Sequence, residues 1–214
     1  MTMPSRTPKR RAARSKREGA VLDHLRPDEA ADVLRRLLAA HADLADEAER
    51  TARSILGEVR FEEIANEVEE VVRAPDLDDL NARAGRHEGG YVEPTEAAWA
   101  ILEEAVEPFV EDMKRRIGLG LEAEALEICK GVVLGLYRVE HGKGGRILEW
   151  APDFPAEAAG HALEVWSRGG NRVKKSARRP VSRGYRGFPQ EFVDQVVPEW
   201  AEMISRILSR KRRP

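Results

Sequence analysis

Residues 121–140 read LEAEALEICKGVVLGLYRVE, and this stretch decides the fold. From Leu126 to Tyr137 apolar side chains occupy more than one face of the helix that the spacing predicts. A surface helix keeps a polar side, so a helix apolar nearly all round belongs in the middle of a helical protein. Gly131 and Gly135 stand four residues apart on one side of it, where a neighbouring backbone can approach closely. The longest unbroken apolar run, Gly131–Tyr137, is seven residues and follows Lys130. That is far short of the roughly 18 a membrane span needs, so the glycine pair is not a membrane dimer motif and no membrane partner is expected.

Working outward, Glu93-Pro94-Thr95-Glu96 opens the longest helix. Its inward stripe is Trp99, Leu102, Val106, Phe109 or Val110, Met113 and Ile117, with Pro108 bending it and Gly118 and Gly120 ending it. Upstream, Pro27-Asp28-Glu29 suits a helix start, because proline tolerates the first turn and acids favour the positive end of the dipole. Val33, Leu34, Leu37 and Leu38 give it an apolar face. A second helix carries Leu44, Ala48, Ala52, Ile55 and Leu56 up to Gly57, and a third carries Phe61, Ile64, Ala65, Val68, Val71 and Val72 up to Pro75. A short turn covers Leu77 to Ala84. Downstream, Pro155–Trp166 forms a helix with Ala159, Leu163 and Trp166 inward. The last helix runs from Pro189 to about Ser209, interrupted by Pro198. No strand is expected: Ile147–Trp150 is too short, and no Asn-Gly or Asp-Gly turn joins alternating runs.

The expected class is therefore all-α, an irregular array of packed helix hairpins. It is like HEAT or tetratricopeptide stacks in architecture only, since no repeat signature is present. A loose similarity at an offset of 90, Pro108, Asp112, Met113, Arg116 and Ile117 against Pro198, Glu202, Met203, Arg206 and Ile207, is open to two readings, shared helical patterning alone or an internal duplication. The expected organisation is a disordered basic tail over 1–20 and an acidic helical domain over 21–167. A basic flexible linker over 168–188, a docking helix over 189–210 and a basic end over 211–214 complete it.

Composition supports this division. The 214 residues are 35% charged and 6% aromatic, with a formal net charge of -2. Charge is sorted, however: residues 1–20 carry +6, residues 21–140 carry -15 and residues 141–214 carry +7. A partner meets local fields rather than the average. The N-terminal stretch has no apolar core segment and is not a secretory signal. The single cysteine, Cys129, excludes an intrachain disulfide and a cysteine-based zinc cluster. The Ala-, Arg- and Glu-rich usage is of a bacterial, cytoplasmic kind.

Candidate chemistry is sparse. The five histidines are scattered. Glu157, His161 and Glu164 share a helix face, which reads as a solvated face rather than a metal site, and no His-Glu-x-x-His occurs. The loop HGKGGR at 141–146 lacks the strand and the GxxxxGK order of a phosphate loop and reads as a connection. Cys129, inside the most apolar helix, reads as a small buried hydrophobe. GxSxG is absent. No catalytic residue, metal or cofactor is expected. The glycine-rich stretch 85–93 reads as a loop, and Arg86, His87 and Tyr91 are its candidate site residues.

The basic stretch 168–186, RGGNRVKKSARRPVSRGYR, is the most specific signal, with eight Lys/Arg and no acid. Arg168, Arg172, Lys174, Lys175, Arg178, Arg179, Arg183 and Arg186 can neutralise phosphates or acidic side chains, and Tyr185 can stack on a base. Three function classes follow. The first is a non-enzymatic protein-interaction protein with grooves between helices and basic segments that attract its partner. The second is a nucleic-acid-associated protein binding RNA or DNA through those segments. The third is an enzyme or metal-binding bundle with an unrecognised site.

Overall fold

Helix α6, Glu122–His141, runs through the middle of the larger packed body, as its all-round apolar sequence requires. The structure is a computed structural model and describes residues 21–142, 145–176 and 187–209, with only the backbone of 170–176. Eleven residues of α6 are buried, and Cys129, Val132, Val133 and Leu136 are wholly inaccessible. The other helices are α1 (Pro27–Ala40), α2 (Ala45–Gly57), α3 (Phe61–Arg73), α4 (Leu77–Arg83), α5 (Pro94–Gly118), α7 (Phe154–Ser176), α8 (Gln190–Val196) and α9 (Ala201–Ser209). The protein is all-α, with nine α-helices among the described residues.

The chain divides into two compact units, Met1–Arg53 and Ser54–Pro214. In the second, α3, α5 and α7 all pack on α6. The contact with α3 is the closest, and its cause is the glycine pair. A Cβ built on Gly131 would lie 2.5 Å from the Cβ of Ile64, and one on Gly135 would lie 2.7 Å from the carbonyl oxygen of Ala65. Helix α5 buries Leu102, Val106, Val110, Met113 and Ile117, the stripe expected from its spacing, and runs on through Pro108. These contacts do not establish a repeat stack. A repeat buries each hairpin against the next, whereas here α3 reaches past α4 and α5 in sequence to cover α6.

Helix α4 starts on a reciprocal cap. Asp76 accepts from the amides of Asp78 and Asp79 at 2.8 and 3.1 Å, and its own amide donates to Asp79 at 2.9 Å. Within the second unit, buried Arg116 on α5 meets residues 54–57, the last turn of α2. Its Nη1 donates to the carbonyl oxygen of Leu56 and its Nε donates to Asp112 at 2.9 Å.

Two expectations are corrected. Residues 85–92 are not a loop but a small antiparallel hairpin, β1 (Gly85–His87) paired with β2 (Gly90–Val92). Its glycines explain the miss. Gly85 and Gly90 take φ of 101° and 131°, so the left-handed backbone falls on the strand ends and not on the Glu88-Gly89 connection where a primed turn would place it. Second, the helix expected to stop at Trp166 continues to Ser176, so residues 168–176 are helix and not flexible linker. Gly169 reads as a helix breaker, yet it is there for packing: a Cβ on it would lie 2.6 Å from Cδ1 of Ile117. The interruption expected at Pro198 is present: the C-terminal segment consists of α8, a 3₁₀ turn at Pro198–Trp200, and α9.

The first unit holds a 3₁₀ turn at Val21–His24, then α1, a second 3₁₀ turn at Ala42–Leu44, and most of α2. None of these elements buries a residue, so the apolar spacing of α1 and α2 has not become a core. The tails 1–20 and 210–214 lie outside the described residues.

Candidate functional site

The hairpin residues come first. The register sets Arg86 opposite Tyr91 and His87 opposite Gly90. Arg86 and Tyr91 are exposed. The Nε2 of His87 lies 2.7 Å from the carbonyl oxygen of Arg83, so that nitrogen carries the proton and donates to the end of α4. Arg83 in turn grips Glu104 of α5 with both terminal nitrogens, Nη1 to Oε1 at 2.7 Å and Nη2 to Oε2. This fork raises the Arg83 pKa and lowers that of Glu104, in each case chiefly through the hydrogen bond. The imidazole of His87 is therefore engaged in anchoring the hairpin, and the surface offered outward is the Arg86–Tyr91 pair.

The basic candidates belong to another element. Arg168 is exposed on α7 and pairs with Glu164 at 2.5 Å, one turn back. Arg172, Lys174 and Lys175 fall in the last two turns of the α7 backbone. Positions 168, 172 and 175 follow i, i+4, i+7, the spacing of one helical side. Arg178, Arg179, Arg183, Tyr185 and Arg186 lie outside the described residues.

Groups weighed as chemistry are otherwise engaged. Burial pushes the thiol of Cys129 far above its ordinary range, so it carries no thiolate at neutral pH. His161 and Glu157 are exposed, and Glu164 is held by Arg168. Among the described residues no three His, Cys, Asp or Glu side chains are grouped to hold a metal ion. Lys143 and Gly144 of the HGKGGR loop lie outside the described residues, while Gly145 packs on the backbone of Arg73.

Aromatic side chains, few as they are, pin the C-terminal helices to the body. Phe192 of α8 meets Phe61 edge-on at 5.5 Å and Phe188 at 5.6 Å, and Phe188 meets Trp166 of α7 at 5.6 Å. The ammonium of Lys130 lies 4.0 Å from the centre of the Phe61 ring and 2.8 Å from Glu127. Tyr137 meets Trp200 at 5.3 Å. These contacts are structural.

The feature not recognised from sequence as a surface is the first unit. Val21, Leu22, Leu34, Leu37 and Leu44 are all exposed, Leu34 at 50% and Leu37 at 48% of full accessibility. The signal was in the apolar spacing of α1, but spacing reveals a sticky face without revealing what covers it. Charges occupy the rest of the surface, with Arg35 paired to Asp32 and Arg53 to Glu49.

Comparison with known proteins gives no relative: no family model, no curated protein and no solved structure matches the chain. Among the described residues no helix is long and apolar enough to cross a membrane.

Proposed function

We propose that this chain is a non-enzymatic interaction protein of the cytoplasm, which offers the apolar face of its first unit, residues 21–53, to a protein partner. One observation carries the reading. Large apolar side chains on α1 lie open where a helix of this pattern ordinarily buries them, at Leu34 and Leu37 above all. Leu34 and Leu37 are half exposed, so covering each gains about half of the ~1.5–3 kcal/mol that full burial of such a side chain provides. The body supplies a stable, acidic platform, and the basic segments add attraction at longer range.

A second reading, nucleic-acid association, is favoured by the extension of α7, which carries Arg168, Arg172, Lys174 and Lys175 on one continuous helix. The two are separated by affinity capture from an extract of the cells that make the protein, with and without nuclease. The proposed function predicts a protein retained after nuclease and lost when Leu34→Asp and Leu37→Asp are combined. Capture that vanishes with nuclease, or with Ala at Lys174, Lys175, Arg178 and Arg179, would replace it with the second reading.

A further inference from the structure

We infer that the partner of the α1 face is a second copy of this chain, paired antiparallel through α1. The inference rests on the reading of the first unit as a docking surface and goes further by naming the occupant. Two independent properties of α1 make it complementary to itself. The first is charge. Asp28, Glu29 and Asp32 lie in its first half and Arg35 and Arg36 in its second. The second is volume. Ala30 and Ala31 lie at one end of the apolar face, Leu37 and Leu38 at the other, with Val33 and Leu34 between.

Antiparallel pairing centred on the Asp32–Leu34 turn satisfies both at once. Leu37 and Leu38 of one copy then face the small Ala30–Ala31 end of the second copy, large against small as close packing requires. Arg35 and Arg36 approach the acidic half of the opposite helix, within the ~8–10 Å over which such fields act. Parallel pairing would do neither, setting leucines on leucines and like charges on like. The arrangement is isologous, each contact occurring twice about a twofold axis, which is the commonest way for one surface to close on itself. Acids first and bases last also suit the dipole of each helix taken alone. The volume gradient has no such intrahelical use.

The test uses the full chain, followed by light scattering across a concentration series. The wild type is expected to form a reversible dimer. Combining Leu34→Asp with Leu37→Asp is expected to weaken association at least ~100-fold, from the apolar burial lost. The thiol of Cys129 must stay unreactive, which shows that the body remains folded. A second pair of variants tests charge attraction between the two copies of α1 without removing apolar surface. Asp28→Lys, Glu29→Lys and Asp32→Lys make one chain basic throughout α1, and Arg35→Glu with Arg36→Glu make another acidic throughout. Each alone should dimerise less than the wild type, and mixing the two should restore a dimer. A wild type monomeric at every concentration, or charge variants that mixing does not rescue, would overturn the inference. A monomer whose capture of a different protein still depends on Leu34 and Leu37 would end this inference and leave the docking reading standing. A monomer with no such dependence would end both.

Discussion

Placing one methyl group on Gly135 should loosen the packing of α3 on α6. The new Cβ would lie 2.7 Å from the carbonyl oxygen of Ala65 and 2.8 Å from Cβ and Cγ1 of Val68. Neither obstacle is the free end of a flexible chain: one is backbone and the other a β-branched stem fixed at χ1. Relief therefore requires α3 to withdraw by several tenths of an ångström, which disturbs the buried contacts of Ala65, Val68 and Val72 together. Overpacking of this kind costs about 1–3 kcal/mol. Against it, alanine is the better helix former by about 1 kcal/mol. The net expectation for Gly135→Ala is a loss of up to about 2 kcal/mol, or a Tm lower by up to about 8 °C in a chain of this size. Gly118→Ala is the matched control, since a Cβ there meets nothing within 4 Å and the change should be neutral or stabilising. Urea unfolding at constant m-value measures both. A gain of about 1 kcal/mol for Gly135→Ala, the full helix-propensity term with no packing cost, would refute the close approach of the two helices.

Other consequences follow from particular contacts. Asp76→Ala removes the acceptor that caps α4 and should cost about 1 kcal/mol in the same assay. Phe192→Ala empties the ring position between Phe61 and Phe188 and should cost about 3–5 kcal/mol, with α8 exchanging its amides faster than α6. Burial raises the Asp112 pKa, but hydrogen bonds from Arg115 and Arg116 outweigh it and hold the carboxyl below its ordinary value. Its stabilisation is thus present above the ordinary carboxylate range and lost as pH falls through the lower folded value. Asp112→Asn should be less stable than the wild type at pH 7, and the gap should begin to narrow below about pH 4 and close only below the lower folded value. Cys129 should resist a thiol reagent in the native state and react fully in denaturant.

The fold was legible where the signal was a long period. The stripe Leu102–Val106–Val110–Met113–Ile117 repeats on the pitch of a helix and is buried, while Trp99, expected at its start, is half-buried and Ala97, Ala98 and Arg116 are buried beside it. Helix α6 was legible because an apolar surround admits one location, and Gly131 and Gly135 announced the approach of α3 before its identity could be known. What escaped was short or indirect. Strands of three residues carry too few alternations to read, and the positive φ of Gly85 and Gly90 lies outside the connection searched for a turn. Gly169 looked like punctuation because its reason for being small, Ile117, is over fifty positions away in sequence. The local structure around the candidate residues is less legible: Arg86 and Tyr91 stand on a hairpin rather than a loop, and Arg168, Arg172, Lys174 and Lys175 on a helix that runs to Ser176. The apolar face of α1 is legible as pattern, but its exposure is not, since amphipathicity specifies a side and not its cover.

Amide hydrogen exchange resolved along the chain tests the architecture most directly. With α6 at the centre of the body, peptides covering Ile128–Val139 should exchange last, near the rate of global unfolding. Exchange of those peptides as fast as that of the exposed 3₁₀ turn at Val21–His24 would contradict it.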